Sequence, residues 1–183
     1  MPVLAVRKIP ATIFIPTGYL GRKPGWILDI GHEYANETVL TEEQLRQLPH
    51  DLISVGSHIV THPYLSKIGK DKATRELIDS KIKLEKIFGT EVKMLSLPYG
   101  SYNKEVTALS KEAGYERIFL NIPAFHSSRA EEHTVGRIHV SLDDWMIEYR
   151  LKLLGAYQWL SCAVAIKQKL IRLIKIFQVK KEL

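Results

Sequence analysis

Residues 52–63 read LISVGSHIVTHP, an apolar run that is followed by two histidines. The run Leu52 to Val55 has the composition of a buried strand, and Gly56 relieves crowding where that strand ends. His58 and His62 then follow, four residues apart. Neutral imidazole is a good ligand for zinc and similar ions, so the segment predicts a metal site at the end of a strand. Two turn histidines that make ordinary hydrogen bonds are the alternative.

Composition places the chain among single-domain globular proteins. It has 183 residues and a hydrophobic content of 45%, enough for a substantial core. The formal charge of +6 comes from 26 Lys and Arg against 20 Asp and Glu, and the segment from Lys167 onward supplies much of the excess. We therefore expect no nucleic-acid partner. The single cysteine, Cys162, excludes an intramolecular disulfide.

Neither end of the sequence shows a targeting or membrane-spanning pattern. Arg7, Lys8 and Pro10 interrupt the apolar amino-terminal residues before a signal-peptide core forms. The longest nearly uncharged run, Leu153 to Ile166, is too short to cross a bilayer. The default expectation is a cytoplasmic protein without a transmembrane helix.

Residues 163–177 have the pattern of a basic amphipathic helix. Ile166, Leu170 and Phe177 fall on one helical face, with Arg172 and Lys175 on the opposite side. Packing on the domain or on a partner is one interpretation. Weak contact with an anionic membrane surface is the other.

Short β-rich runs alternate with segments of helical periodicity through most of the chain. The predicted strands are 11–15, 52–55, 92–97, 117–120 and 136–140, and the predicted helices are 41–48, 71–88, 104–113 and one that begins near residue 145. Thr41 and Gln44 form a capping box, and Asp143 or Asp144 can cap the last helix. The alternation predicts an α/β fold with parallel strands, whose carboxyl ends carry the site.

The longest predicted helix has two apolar surfaces. One stripe contains Ala73, Leu77, Leu84, Ile87 and Phe88, and a second flank contains Ile78 and Ile82, so we expect this helix to pack on two neighbours.

The loop from residue 18 to residue 37 has a polar and aromatic composition. It carries Trp26, Asp29, His32 and Glu33, which are suited to lining a cleft, although a solvated loop has the same composition.

The order of these elements resembles the polysaccharide deacetylase family, the NodB-homology domain of carbohydrate esterase family 4. The resemblance is carried by ATIFIPTGYLG, SVGSHIVTHPYLS, ELIDSKIKLEKIFG, LSLPYGSYN and KEAGY, from about residue 2 to residue 140. It implies a distorted (β/α) barrel that removes N- or O-acetyl groups from polysaccharides or oligosaccharides. It also implies a divalent metal cofactor, zinc being expected, held by two histidines and an aspartate.

The resemblance assigns roles to particular residues. His58 and His62 correspond to the metal ligands, and Pro98, Tyr99 and Gly100 to a substrate-binding loop in which the Tyr99 amide stabilises the oxyanion. His139 is a candidate for the family's general acid, with a hydrogen-bonded strand histidine as the alternative.

The chain departs from the family pattern at two places. Ser96 stands where the family has an arginine before its Pro-Tyr-Gly loop. The family's Thr-Phe-Asp-Asp motif, which supplies the general base and a metal ligand, has no counterpart and would lie upstream of Met1. The Asp143-Asp144-Trp145 sequence looks like a later Asp-Trp motif of the family, but a helix cap explains it better.

We therefore expect a deacetylase domain at residues 1–142, incomplete at its first strand and impaired in activity, followed by a helical extension at 143–183. Two other hypotheses stay open at this stage. One is a noncatalytic descendant that binds carbohydrate or acts as a scaffold. The other is a membrane-surface adaptor that acts through residues 163–177.

Overall fold

A computed structural model describes residues 2–26, 36–121 and 133–157, with 159, 160, 163, 166 and 167. The chain divides into two compact units, residues 1–119 and 120–183. The division predicted from the sequence, at residue 142, stays a prediction. Asp29, His32, Glu33 and residues 168–177 of the amphipathic segment lie outside the described residues.

The first unit is built on parallel strands. They are β1 (Ala11–Ile15), β2 (Ile53–Ser57), β3 (Met94–Ser96) and β4 (Arg117–Phe119), paired in that order. Each of the three pairings β1–β2, β2–β3 and β3–β4 is parallel. The α/β fold with a parallel sheet is thus confirmed, while closure into a barrel stays a prediction.

Helices precede or connect these strands. They are α1 (Pro2–Arg7), α2 (Glu42–Arg46), α3 (Lys70–Phe88) and α4 (Lys104–Glu112). The Thr41 and Gln44 capping box is present, and Asn103 accepts a 2.8 Å hydrogen bond from the Val106 N–H. Gly89 ends α3 in the left-handed conformation, at φ +69°. The predicted helix boundaries therefore hold to within two residues.

The core of the first unit forms around one face of α3. This helix packs against α2, α4 and β2. Its buried side chains recur with helical spacing: Ala73, Glu76, Leu77, Ser80, Leu84 and Ile87. Ile78 and Ile82 are 38% and 58% exposed, so the second apolar flank does not form part of this core.

Gly56 allows β2 to approach its neighbours. A Cβ atom at this position would lie 2.5 Å from Cε1 of Phe14 and 3.0 Å from the Met94 carbonyl oxygen. The Phe14 ring therefore occupies the space that any larger residue would need, and it also contacts Phe119 at 5.1 Å between centroids. The crowding expected at the end of this strand is confirmed.

The second unit contains β5 (Thr134–Val135), where the Leu120 N–H donates a 2.8 Å hydrogen bond to the Val135 carbonyl. The prediction of a strand at 136–140 is wrong, because those residues have no regular secondary structure. Gly136 weakens a strand, and the Arg137 side chain donates to the Leu120 carbonyl.

The helix of this unit is α5 (Met146–Leu153), which has no side-chain cap. The prediction that Asp143 or Asp144 caps it is wrong. The Asp144 carboxylate instead accepts from the Ser141 N–H and forms an ion pair with Lys152 at 2.7 Å. An ion pair with the Lys152 ammonium is stronger than a hydrogen bond to a neutral backbone N–H, so the Asp144 carboxylate binds Lys152 instead of capping the helix. Among the described residues, no helix is both long enough and apolar enough to cross a membrane.

Candidate functional site

Two loops meet at the carboxyl ends of neighbouring strands. His58 follows β2 directly, and the 3₁₀ turn Pro98–Gly100 begins two residues after β3. Ser57 pairs with Leu95 in the parallel ladder, which places these two strand ends side by side. The sequence predicted this arrangement, because parallel strands deliver their following loops to one edge.

The imidazoles of His58 and His62 converge through their Nε2 atoms, which are 3.1 Å apart. His58 Nδ1 lies 2.6 Å from the Ser96 carbonyl oxygen. Since a carbonyl can only accept, Nδ1 carries the proton and donates it, and the lone pair of neutral His58 is on Nε2. The backbone at Ser96 therefore orients His58 with its unprotonated nitrogen toward His62.

His62 is held in an unusual and largely apolar setting. Its φ is +62°, its ring stacks on Trp26 at 4.3 Å between centroids, and the Tyr99 ring meets it edge-on at 4.9 Å. Burial, and secondarily the neighbouring His58, lower the pKa of His62 to about 4. The ring is consequently neutral at pH 7, the form that binds metal.

Glu76 supports the turn between the two histidines from α3. Its buried carboxylate accepts hydrogen bonds from the backbone N–H groups of Val60 and Thr61, both at 2.8 Å, and from the Thr61 hydroxyl. These donors compensate the cost of burying the charge. They also fix the backbone that presents His62.

The segment after β1 supports the same turn from the other side. The Thr17 N–H donates to the Ile59 carbonyl at 3.0 Å, and the Gly18 N–H donates to the Val60 carbonyl at 2.9 Å. A Cβ on Gly18 would lie 2.7 Å from that carbonyl oxygen, so the contact requires glycine. The turn is thus fixed by bonds to both its amides and its carbonyls.

The Pro98–Gly100 turn places an aromatic ring beside His62. Tyr99 adopts φ +56°, and its N–H donates to no residue in the described parts of the chain. Its ring is 45% exposed and stacks on Tyr64 at 4.0 Å. Burial, with smaller effects of Tyr64 and Tyr19, raises the pKa of Tyr99, so the phenol is protonated at neutral pH.

The histidine pair fits a zinc-like ion. Tetrahedral geometry with Zn–N bonds of about 2.0 Å separates two ligand nitrogens by roughly 3.3 Å, close to the 3.1 Å observed. Nδ1 of His62, which is not the nitrogen that faces His58, is buried and has no hydrogen-bond partner among the described residues. The described ranges hold no cluster of three or more His, Cys, Asp or Glu that could ligate a metal. Within these ranges, His58 and His62 are thus two candidate ligands that lie together.

His139 belongs to the second unit, where it is exposed on an irregular segment. It lies close enough to Asp144 to contribute, after Lys152 and Ser141, to the lowered pKa of that carboxyl group. A catalytic role for His139 stays a prediction.

Sequence reasoning did not find Glu76 and Tyr64. The signal for Glu76 was present, because it falls at helical spacing between Ala73 and Ser80 on the buried stripe of α3. A carboxylate at such a position indicates a buried acceptor. Nothing in the sequence pattern indicated the stacking of Tyr64 on Tyr99. Trp26, by contrast, was among the residues proposed to line a cleft, and it contacts His62.

The sequence model of the family described as "Polysaccharide deacetylase" matches residues 1–118. The chain belongs to the polysaccharide deacetylase family. The predicted polysaccharide deacetylase YxkH of Bacillus subtilis (strain 168) is 29% identical over 140 residues, which are 76% of this chain and 45% of that protein. The chain thus spans less than half the length of this relative.

Solved structures share the fold of this chain. The Streptococcus pyogenes deacetylase PplD, determined in complex with acetate, superposes with a TM-score of 0.65 at 23% identity, covering 78% of this chain and 57% of PplD. IcaB from Ammonifex degensii gives a TM-score of 0.65 at 20% identity, covering 87% and 65%. The expected family membership is confirmed.

Proposed function

We propose that this chain is a metal-dependent deacetylase domain that hydrolyses acetyl groups of N- or O-acetylated polysaccharides. The convergence of His58 and His62 at 3.1 Å, at the strand edge of a polysaccharide deacetylase fold, carries the proposal. Zinc held there would polarise the acetyl carbonyl as a Lewis acid. Release of acetate from an acetylated polysaccharide is the reaction that the family name describes.

Each residue of the site has a separate role in the proposed reaction. His58 and His62 would hold the ion, and the Ser96 carbonyl, which accepts from His58 Nδ1, leaves the lone pair of His58 on Nε2 for it. The Tyr99 N–H donates a hydrogen bond to the acetyl oxygen as that oxygen gains negative charge. The rings of Trp26 and Tyr99 cover His62 and exclude water from it.

His139 is proposed as the proton donor to the leaving sugar nitrogen or oxygen. For residues 1–183 taken alone we propose a low activity, because the Asp-Asp motif that the family resemblance implies has no counterpart among them. Removal of a general base alone typically costs about 10²- to 10⁴-fold in rate.

Acetate release from an N-acetylglucosamine oligosaccharide, measured with added zinc and after chelation, tests the proposal. We expect slow, zinc-dependent release that is lost in His58→Ala and His62→Ala and retained in Tyr102→Ala, an exposed neighbour of the site. Calorimetric titration should show that both histidine variants also lose zinc binding. Zinc binding or acetate release that is unchanged in both variants contradicts the assignment.

A noncatalytic carbohydrate-binding domain is the second candidate. It is favoured by the presence of only two candidate ligands within the described ranges, whereas catalytic zinc sites use three protein ligands. NMR titration with the same oligosaccharide separates the two functions. Saturable binding without acetate release at any zinc concentration supports this candidate, and the absence of both binding and release contradicts both functions.

A further inference from the structure

The loop that follows the histidine motif touches the Pro98–Gly100 turn at two points. The Tyr64 ring stacks on the Tyr99 ring, with centroids 4.0 Å apart and planes inclined by 10°. Two residues later, the Ser66 hydroxyl bonds the Ser101 hydroxyl at 2.7 Å, and the Ser66 N–H donates to the same oxygen at 3.2 Å. The two loops are therefore joined at Tyr99 and again at Ser101.

Tyr99 needs such external support. Its φ of +56° is rare for a bulky residue, and residues in this region keep it only where their surroundings fix it. Within the turn, the Gly100 and Ser101 N–H groups donate to Leu97 and Pro98, which closes the backbone but does not hold the Tyr99 side chain.

The Tyr64 ring is itself held by two neighbours. The Lys67 ammonium lies 4.3 Å from the centroid of its ring, and Tyr99 stacks on the same ring at 4.0 Å. Tyr99 in turn meets His62 edge-on. The order Lys67, Tyr64, Tyr99, His62 thus forms a continuous row of contacts that ends at the proposed ligand.

We propose that Tyr64 is a positioning residue, which holds Tyr99 in its left-handed conformation and so fixes the direction of the Tyr99 backbone N–H. This inference rests on the proposed function for its catalytic consequence, but the conformational consequence is independent of activity. The aromatic ring of Tyr64, and not its hydroxyl group, holds Tyr99 in this conformation.

The experiment compares Tyr64→Ala and Tyr64→Phe with Tyr102→Ala, a neighbouring tyrosine that is 41% exposed. We expect Tyr64→Ala to shift the Tyr99 and Gly100 amide resonances and to speed hydrogen exchange at Gly100 and Ser101. Tyr64→Phe and Tyr102→Ala should match the wild type. Unchanged resonances in Tyr64→Ala, or equal changes in Tyr64→Phe, would overturn the proposal.

Kinetics provide the second arm. We expect Tyr64→Ala to lower kcat by about 10-fold with little change in KM. This loss is smaller than the roughly 10²- to 10³-fold loss of kcat that follows deletion of an oxyanion donor, because the Tyr99 N–H is still present. Tyr64→Phe should have the kcat of the wild type. An equal loss in Tyr102→Ala, or a lowered Tm with unchanged kcat, contradicts the positioning role. If the wild type releases no acetate, the proposed function fails while the NMR arm still decides the role of Tyr64.

Discussion

Individual residues at the site depend on their backbone partners. At position 96, where the family resemblance implies an arginine, this chain has a buried serine whose carbonyl accepts a hydrogen bond from His58 Nδ1. The substitution therefore leaves the imidazole partner intact, because every residue type supplies a carbonyl.

The pKa of His62 gives a prediction at this scale. NMR titration of the metal-free protein should show His62 remaining neutral down to a midpoint near pH 4, because burial opposes the charged form. The His58→Ala variant should raise that midpoint only part of the way toward 6.5, since the neighbouring imidazole is the smaller cause.

The lowered pKa of His62 also determines how the free energy of unfolding changes with pH. The unfolded chain takes up the His62 proton near pH 6.5 and the folded chain only near pH 4. Unfolding is therefore favoured progressively as the pH falls through that window. A His62 midpoint near 6.5 in the folded protein would show that the ring is not buried as described.

At the scale of elements, α3 does more than cover the sheet. Its buried face presents both apolar side chains for packing and the Glu76 carboxylate for the turn between the histidines. Helix and site are thus coupled through one side chain.

Substitution of Glu76 tests this coupling. Glu76→Ala leaves the Val60 and Thr61 amides without their acceptor, and we expect the unfolding free energy to fall by about 2–3 kcal/mol. Zinc affinity should fall by about 10-fold or more, as for other groups that orient ligands. Calorimetry and chemical denaturation measure the two effects.

The control for this experiment is a conservative change at the same position. Glu76→Gln retains an acceptor oxygen for both amides and an NH₂ that can donate to Thr61, so it should lose much less stability and affinity. Asp79→Ala, on the exposed face of α3, should change neither. Equal zinc affinity in Glu76→Ala and the wild type would restrict Glu76 to a role in stability.

At the scale of the whole molecule, Tyr115 links pH to folding. It is buried, and its hydroxyl donates to the Leu77 carbonyl of α3 at 2.9 Å. Burial is the main cause that raises its pKa above the ordinary value of 10.0. Above pH 10 the unfolded chain loses this phenolic proton while the folded chain keeps it, so stability falls as the pH rises.

Chemical denaturation of Tyr115→Phe between pH 9 and pH 12 tests this contribution. The variant should lose about 1 kcal/mol at pH 7 with its hydrogen bond. Above pH 10 the free energy of unfolding of the variant should fall less steeply with pH than that of the wild type. The two slopes should differ by up to about 1.4 kcal/mol per pH unit. Parallel pH profiles, with Tyr102→Phe as the exposed control, would contradict the burial of Tyr115.

The amino-acid sequence by itself determined the family, the parallel α/β class, the histidine pair and most helix ends of the first unit. These features are encoded locally: the capping box at Thr41, the left-handed Gly89 and the apolar run before His58 each depend on neighbours in the chain. Local signals were weaker beyond residue 134, where the strand at 136–140 and the aspartate cap were both predicted wrongly.

Only the tertiary structure decided how the site is held. Ser96 lies 38 residues from His58, Glu76 lies 15 residues from Thr61, and Tyr64 stacks on a ring of the next loop. Such contacts depend on strand register and helix placement, which a sequence pattern leaves open. The lowered pKa of His62 has the same origin, because burial of an imidazole follows from the rings that fold over it and not from its neighbours in the chain.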